Sequence, residues 1–367
     1  MADARLAMAI GAISGTSMDG IDVAIVETDG MSNVKPGPGH TYLYGDDLRR
    51  ALQSAVEDQA VAEHDPLEEL ERDVTDAHAG AIASFMREHG FTKQTVSLIG
   101  LHGQTICHRP ERRFTRQLGL GARVAQTLGI DTVDHFRHAD VAAGGEGAPF
   151  APLYHRALAS RLDQPLMVLN LGGVANVTYL DGETVIAFDT GPASALLDDF
   201  VRARTGKPYD DAGRLAASGR ADPALVAALM QNPFFDRAAP KSLDRNDFHA
   251  RAKIVDSLTD ADGAATLAAF TIASVADALR HVPGAPKRWL VTGGGRLNRN
   301  FMGLLAARLG VPVEPVEAVG WSGDFLEAQC FAYLAVRSVR GLPLSLPTTT
   351  GVKRPMTGGR LWRGSHE

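Results

Sequence analysis

The stretch LAMAIGAISGTSMDGIDVAIVETDG, Leu6 to Gly30, decides how the rest of the chain is read. LAMAIGAI and IDVAIVET are apolar runs of strand length, SGTSMDG between them is a turn, and Asp29-Gly30 turns the chain again. The same order returns far downstream. PLMVLNL reads as a strand, Gly172-Gly173 as a turn and VANVTYL as a second strand, after which Asp181-Gly182 leads into ETVIAFD. One copy of this grammar in each half of the chain predicts an α/β protein of two lobes with duplicated hairpin cores.

The remaining segments fill in around the two copies. Residues 47–89 have helix-forming composition, and TVSLIGLHGQT is a strand running into a loop. GIDTVDHFRHADVAAGGEGAPFAP is long and rich in Gly and Pro, so it reads as a functional loop near the lobe boundary. ASALLDDFVRAR puts Leu196, Leu197, Phe200 and Val201 on one helical face. KRWLVTGGGRLNRNFMGLLAARLG is strand, triple glycine, helix, and SGDFLEAQCFAYLAVRSVRG is a helix with Ser322 as its cap and Gly341 as its stop. The lobes are expected at 1–140 and 141–342, with 343–367 packing back on the first.

Composition narrows the function. The 367 residues are 45% apolar and 22% charged, the profile of a globular protein with core enough for two lobes. A net charge of −6 argues against nucleic acid as a partner, because binding a phosphate backbone calls for a basic surface. The first apolar run is short and ends in a glycine turn, unlike a secretory signal. No stretch approaches the ~20 apolar residues of a membrane span, so a cytoplasmic protein without a membrane partner is expected. Cys107 and Cys330 lie in apolar surroundings and are expected as buried free thiols.

Neither G-x-x-x-x-G-K-[ST] nor G-x-G-x-x-G after a strand occurs. Three glycine clusters instead end apolar strands: Gly15 to Gly20, Gly172-Gly173 and Gly293 to Gly295. Successive amides in such turns form anion-binding nests, so two of them could clamp a polyphosphate and the third take the nucleoside. The plain alternative is three tight turns. Ser14, Thr16 and Ser17 can donate hydroxyl hydrogen bonds to phosphate oxygens, whereas Asp19 and Asp22 cannot. A carboxylate beside phosphates points to magnesium, often through water, although Asp19 also suits an Asp-Gly turn.

Asp189, in DTGP, ends a strand ahead of a helix N-terminus, which suits a general base and equally a helix cap. DHFRHAD offers a His-x-x-His with carboxylates for zinc or, through Arg137, a guanidinium for a substrate carboxylate. His102 and Gln104, at a strand end, can hydrogen-bond sugar hydroxyls or an amide. Glu327 sits among apolar neighbours on its helix, either facing a cleft or marking a boundary; its spacing leaves both open.

Together SGTSMDGID, GLHGQT, FRHADVAAGGEGAP, NLGGVANVT, FDTGP, APKS, VTGGG and GDFLEAQCFAYLA resemble, in order, the motifs of anhydro-N-acetylmuramic acid kinases. The resemblance runs from about Ile10 to about Gly351. It implies an actin/Hsp70/sugar-kinase-like (ribonuclease H-like) fold with ATP in a cleft between the lobes. It also implies that ATP, Mg2+ and water convert 1,6-anhydro-N-acetylmuramic acid to N-acetylmuramic acid 6-phosphate and ADP, in peptidoglycan recycling and amino-sugar catabolism. A cytoplasmic homodimer is implied as well.

Residue by residue, Asp189 matches the catalytic aspartate. Gly15, Thr16, Ser17, Met18, Asp19, Gly20, Ile21 and Asp22 match the turn that holds phosphates, with magnesium at Asp19. Gly172, Gly173 and Asn176 fall in the second hairpin, and Gly293, Gly294 and Gly295 in the adenosine motif. Glu327 matches a glutamate of the sugar site, and His102, Gln104 and Arg137 are candidates for gripping the sugar. The chain departs from the family pattern at Glu146, at His135, at Ala193-Ser194 and at Arg296-Leu297-Asn298, which touches sugar and adenine contacts. Three other readings stay open: a kinase of ordinary amino sugars, a nucleotide-dependent switch without catalysis, and a zinc hydrolase.

Overall fold

The computed structural model describes residues 6–15, 17–243 and 247–365. Its contacts divide the chain into two compact units. One runs to Ser160 and resumes at Phe325; the other is Arg161–Asp324. The divisions therefore fall after 160 and 324, not after 140 and 342, and the helix carrying Glu327 belongs to the first unit.

In the first unit β1 (Ala7–Ser14), β2 (Gly20–Thr28) and β3 (Val34–Leu43) form an antiparallel meander. β4 (Leu98–Arg109) lies parallel to β1 on its other side, β5 (Phe114–Leu118) pairs antiparallel with β4, and β6 (Thr132–Asp134) continues the sheet parallel to β4. The second unit repeats the plan. β7 (Leu166–Leu171), β8 (Val174–Asp181) and β9 (Thr184–Pro192) form the meander, with β10 (Trp289–Thr292) and β11 (Val313–Pro315) parallel beside β7. Strand orders β3-β2-β1-β4-β6 and β9-β8-β7-β10-β11 are the same topology used twice. The duplication expected from the two glycine-turn hairpins is thus present, and the fold is the expected two-unit α/β type. β12 (Arg360–Trp362) extends the first sheet by pairing antiparallel with β6.

The central strands β1, β7 and β10 are apolar along nearly their whole length because helices cover them, as strands buried on both faces require. In the first unit the Leu326–Val339 helix lies directly on β1. Gly11 makes this possible: a Cβ there would stand 1.8 Å from the Ala328 carbonyl oxygen and 2.7 Å from the Ala332 nitrogen. In the second unit the Asp260–Asp277 helix forms the middle of the core, against Phe200, Phe235, Phe248 and their neighbours. With the turn that follows, Asp260–His281 is long and apolar enough to cross a membrane by length and composition, contrary to the expectation above, and 67% of its most apolar window is buried inside the protein. Cys107 and Cys330 are free and buried.

Three local expectations are corrected. The Gly/Pro-rich stretch after Gly129 is loop only in part: it contains β6 and a short helix at His138–Ala142, and residues 143–151 form neither helix nor strand before the helix at Pro152–Leu158. The triple glycine does not open a helix directly; a 3-10 turn, Gly294–Leu297, intervenes, and Asn298 caps the Arg299–Leu309 helix through its side chain. Ser322 does not cap the final long helix, which starts at Leu326 behind Phe325. The Ser194–Thr205 helix buries Leu196, Leu197, Phe200 and Val201, as their spacing predicts.

Burial also sets an acid limit on stability. His78 and His155 are fully desolvated, which pushes their imidazoles down to about 4 and about 3. A histidine whose folded pKa lies below its unfolded one takes up protons on unfolding, so its contribution is complete above ~6.5, the ordinary imidazole value, and is lost as pH falls through that value toward the folded one. The melting temperature is therefore expected to be level above neutrality and to drop steadily from pH 6.5 to pH 4. Thermal melts that agree at pH 7.5 and pH 5 would contradict this.

Candidate active site

The first glycine turn joins β1 to β2. Gly15 accepts a backbone hydrogen bond from Met18 (3.2 Å), and Met18 takes a left-handed φ of 53° while its side chain packs on the core. Ser17 and Asp19 are exposed, Gly20 and Ile21 buried. Ile21 thus lends the turn only its backbone; its side chain belongs to the core. Thr16 lies outside the described residues. The Asp19 carboxylate is paired with Arg49, and its carbonyl accepts from the Tyr44 amide (3.2 Å). This ion pair is largely exposed and worth ~0.2–1 kcal/mol. No group of three or more His, Cys, Asp or Glu side chains among the described residues could hold a metal alone. The donor set therefore fits an ion carried by a nucleotide rather than a resident one.

Gln104 is buried and holds this turn through its Nε2, while its Oε1 has no partner among the described residues. Its Nε2 donates to the Gly15 carbonyl (3.2 Å) and to its own neighbour's, Thr105 (3.1 Å). His102, also buried, is fully committed. Its Nδ1 donates to the Gly103 carbonyl (3.1 Å), which fixes the tautomer and leaves Nε2 to accept from Arg137 Nε (2.9 Å). Burial and the adjacent Arg137 charge push His102 well below the usual histidine range, so it is neutral. Both nitrogens being engaged, His102 orients Arg137 and is no base. Arg137 also donates to the Gly147 carbonyl (2.6 Å) and lies between the rings of Phe150 and Phe331.

Glu327 begins the helix on β1. Solvent reaches its side chain, yet lost hydration raises its carboxyl; Arg137 opposes that rise and Asp22 adds to it. Asp22, on β2, accepts a hydrogen bond from the Thr41 hydroxyl (2.6 Å). Arg137 and Asp22 thus both act on Glu327 within the first unit. His135 and His138 do not converge on a metal position: their rings lie tilted at 38° with centroids 4.4 Å apart, and His135 Nδ1 meets the Asp134 carboxylate at 2.7 Å.

In the second unit, sheet register builds a row of polar side chains. Thr292, Asn170, Asn176 and Asp189 are successive partners across β10, β7, β8 and β9. Directly paired residues of neighbouring strands project from the same face, so four hydrogen-bonding side chains line up at the glycine-turn end of an apolar sheet. Asp189 is half-buried, and its Oδ2 accepts from the Leu243 amide (2.8 Å). It is no helix cap: the helix after it starts at Ser194, without a side-chain cap, and the Ser194 and Ala195 amides donate to the carbonyls of Gly172 and Gly173. Gly173 is exposed at the turn.

The third cluster is built for close approach. Gly293 has a φ of 76°, and a Cβ on it would stand 2.3 Å from Asn170 Oδ1. Gly294 is exposed and Gly295 buried. Beneath the turn the buried Arg296 donates to Glu317 (2.9 Å), Asp324 (2.7 Å) and the Gly293 carbonyl (3.1 Å). Asn170 and Thr292 did not figure in the sequence reading, and Arg296 entered it only as a departure from the family pattern. An asparagine inside PLMVLNL and an arginine straight after three glycines were the available signals.

The family model for anhydro-N-acetylmuramic acid kinase matches residues 7–364. An anhydro-N-acetylmuramic acid kinase from Paramagnetospirillum magneticum is 52% identical over 355 residues, covering 96% of this chain and 99% of that protein. One from Rhodopseudomonas palustris is 50% identical over 364 residues, covering 97% and 99%. Among solved structures, a ROK family glucokinase from Streptomyces griseus in complex with glucose and AMPPNP aligns at 15% identity with a TM-score of 0.42, over 89% of this chain and 99% of that one.

Proposed function

This chain belongs to the anhydro-N-acetylmuramic acid kinase family, and from that premise we propose that it opens the internal ether of 1,6-anhydro-N-acetylmuramic acid while phosphorylating O6 with ATP. Asp189 takes a proton from water as that water's oxygen bonds to C1. The C1–O6 bond breaks, O6 keeps the electron pair and bonds to the γ-phosphorus, and ADP leaves with the bridging oxygen. The proton on Asp189 passes to solvent. At phosphorus the protein has little to do beyond alignment and charge neutralisation.

The observation that carries this reading is the position of Asp189: a carboxylate in register with Asn176 at the end of a polar row, its Oδ2 fixed by an amide. A base held this way is preoriented before substrate arrives. The turn Gly15–Gly20 with Asp22, and Gly172, Gly173 and Asn176, supply amides and polar groups for phosphate; Gly293–Gly295 serve the nucleoside. Magnesium, held by Asp19 and the phosphates, would neutralise phosphate charge. In the first unit Arg137 pairs with the substrate's lactyl carboxylate, Glu327 contacts the sugar, and His102 and Gln104 support Arg137 and the phosphate turn. We further propose a cytoplasmic homodimer working in peptidoglycan recycling.

The test is a substrate comparison by ADP release. Turnover is expected with 1,6-anhydro-N-acetylmuramic acid and not with N-acetylglucosamine or N-acetylmuramic acid. Equal or better turnover of the free amino sugars would replace this reading with that of an ordinary sugar kinase. ATP binding without turnover of any sugar would replace it with a switch.

A further inference from the structure

Lys241 is 3% exposed, and among the described residues it forms no ion pair. Its Nζ donates to the carbonyls of Phe234 and Phe235 (both 3.1 Å), approaches His281 Nε2 at 3.4 Å and lies 4.6 Å from the centroid of the Phe234 ring. Lysine is almost never buried without a carboxylate partner, since desolvating the ammonium costs several kcal/mol or more. Burial lowers this ammonium to about 8; Asp277 and Asp236 hold it up while Arg280 and Arg237 press it down. It is therefore still mostly charged at neutral pH. Nothing in the phosphate or sugar chemistry described above uses it.

Its main chain explains the investment. β9 is the edge strand of the second sheet, so the outward amide of Asp189 has no neighbouring strand. That amide donates to the Lys241 carbonyl (2.9 Å), and two residues on the Leu243 amide donates to Asp189 Oδ2 (2.8 Å). One short segment thus grips Asp189 by backbone and by carboxylate. The same segment is fastened at its other side by the Lys241 ammonium on the carbonyls at 234 and 235.

We propose that Lys241 is a positioning residue for the general base, its buried ammonium anchoring the 241–243 segment that sets the orientation of the Asp189 carboxylate. The proposal rests on Asp189 being that base. An ammonium suits the task because its three donors can engage two carbonyls and a ring at once, a link an apolar side chain cannot make; the Phe234 carbonyl also accepts from the Arg237 amide (3.2 Å) and that of Phe235 from Arg280. A displacement of about 1 Å in a reacting group costs up to ~100-fold in rate.

The experiment measures kcat and KM for ATP and 1,6-anhydro-N-acetylmuramic acid in wild type, Lys241→Met, Asp189→Asn and the double variant. Lys241→Met is expected to lower kcat about 10- to 100-fold, with both KM values within about two-fold of wild type. In the Asp189→Asn background the same change is expected to cost nothing more, because Lys241 acts only through Asp189. If Lys241→Met folds poorly, Leu243→Pro removes the gripping amide with the ammonium in place, and the same fall in kcat is expected. A wild-type kcat in Lys241→Met, or multiplicative losses in the double variant, would overturn the proposal. Near-normal turnover by Asp189→Asn alone would instead overturn the assignment of the base.

Discussion

Asp189→Asn is expected to reduce kcat by about 10²- to 10⁴-fold, the usual loss when a general base is removed, or about 3–5.5 kcal/mol of transition-state stabilisation. The fold should tolerate the change. Asparagine keeps a carbonyl oxygen to accept from the Leu243 amide, and the backbone bond from the Asp189 amide to the Lys241 carbonyl is untouched. ATP affinity and KM for the anhydro sugar should stay near wild type, so the loss falls on the chemical step. Steady-state kinetics with ADP release checks this. A loss expressed as higher KM at unchanged kcat would make Asp189 a binding residue and leave the water without its base.

Gly11→Ala is the second large effect, and it lies away from any reacting atom. The added methyl group would stand 1.8 Å from the Ala328 carbonyl oxygen, a backbone atom in the first turn of a helix that cannot swing aside as a side chain could. The helix must lift from β1, undoing packing around Cys330, Phe331 and Ala332, all of them buried. Overpacking of this kind costs ~3 kcal/mol, the upper part of the usual range. Glu327 is the residue before Ala328, so activity should fall together with the melting temperature. Differential scanning calorimetry with an activity assay reads both. A variant that melts and turns over like wild type would show that the helix does not approach β1 this closely.

Much of the fold was legible because the signals were local. Apolar strands broken by Gly-rich and Asp-Gly turns announced both meanders, and β7–β8–β9 repeats β1–β2–β3 as the grammar predicts. The return of the last long helix to the first unit was not legible. It depends on Gly11 meeting Ala328, a contact between chain ends that neither segment's periodicity encodes. The Gly and Pro residues after Gly129 predict loop, which residues 143–151 are, and do not reveal β6 or the His138–Ala142 helix. Here they serve tight turns around Asp140, whose Oδ1 accepts from the Gly147 amide and whose Oδ2 accepts from the Thr350 hydroxyl.

The candidate site was legible in its residue types and less so in their tasks. Asp189 stood out as a carboxylate at a strand tip, but the amide that orients it belongs to Leu243, and a backbone donor leaves no mark in the sequence. His102 and Gln104 looked like sugar ligands because polar side chains at a strand end often are. Both His102 nitrogens are engaged by Gly103 and Arg137 and the Gln104 Nε2 by the Gly15 turn, while Gln104 Oε1 has no partner among the described residues. Lys241 entered the sequence reading only inside the APKS motif, without a role of its own, because nothing in that motif signals its burial.

The most direct test of the central claim is mass spectrometry of the sugar product formed from 1,6-anhydro-N-acetylmuramic acid, ATP and magnesium in ¹⁸O-labelled water. Ether opening coupled to phosphorylation predicts a product that has gained one phosphoryl group and one labelled water, with the label on C1. A phosphorylated sugar that keeps its 1,6-ether, or one carrying the label on phosphate, would contradict attack of water at C1.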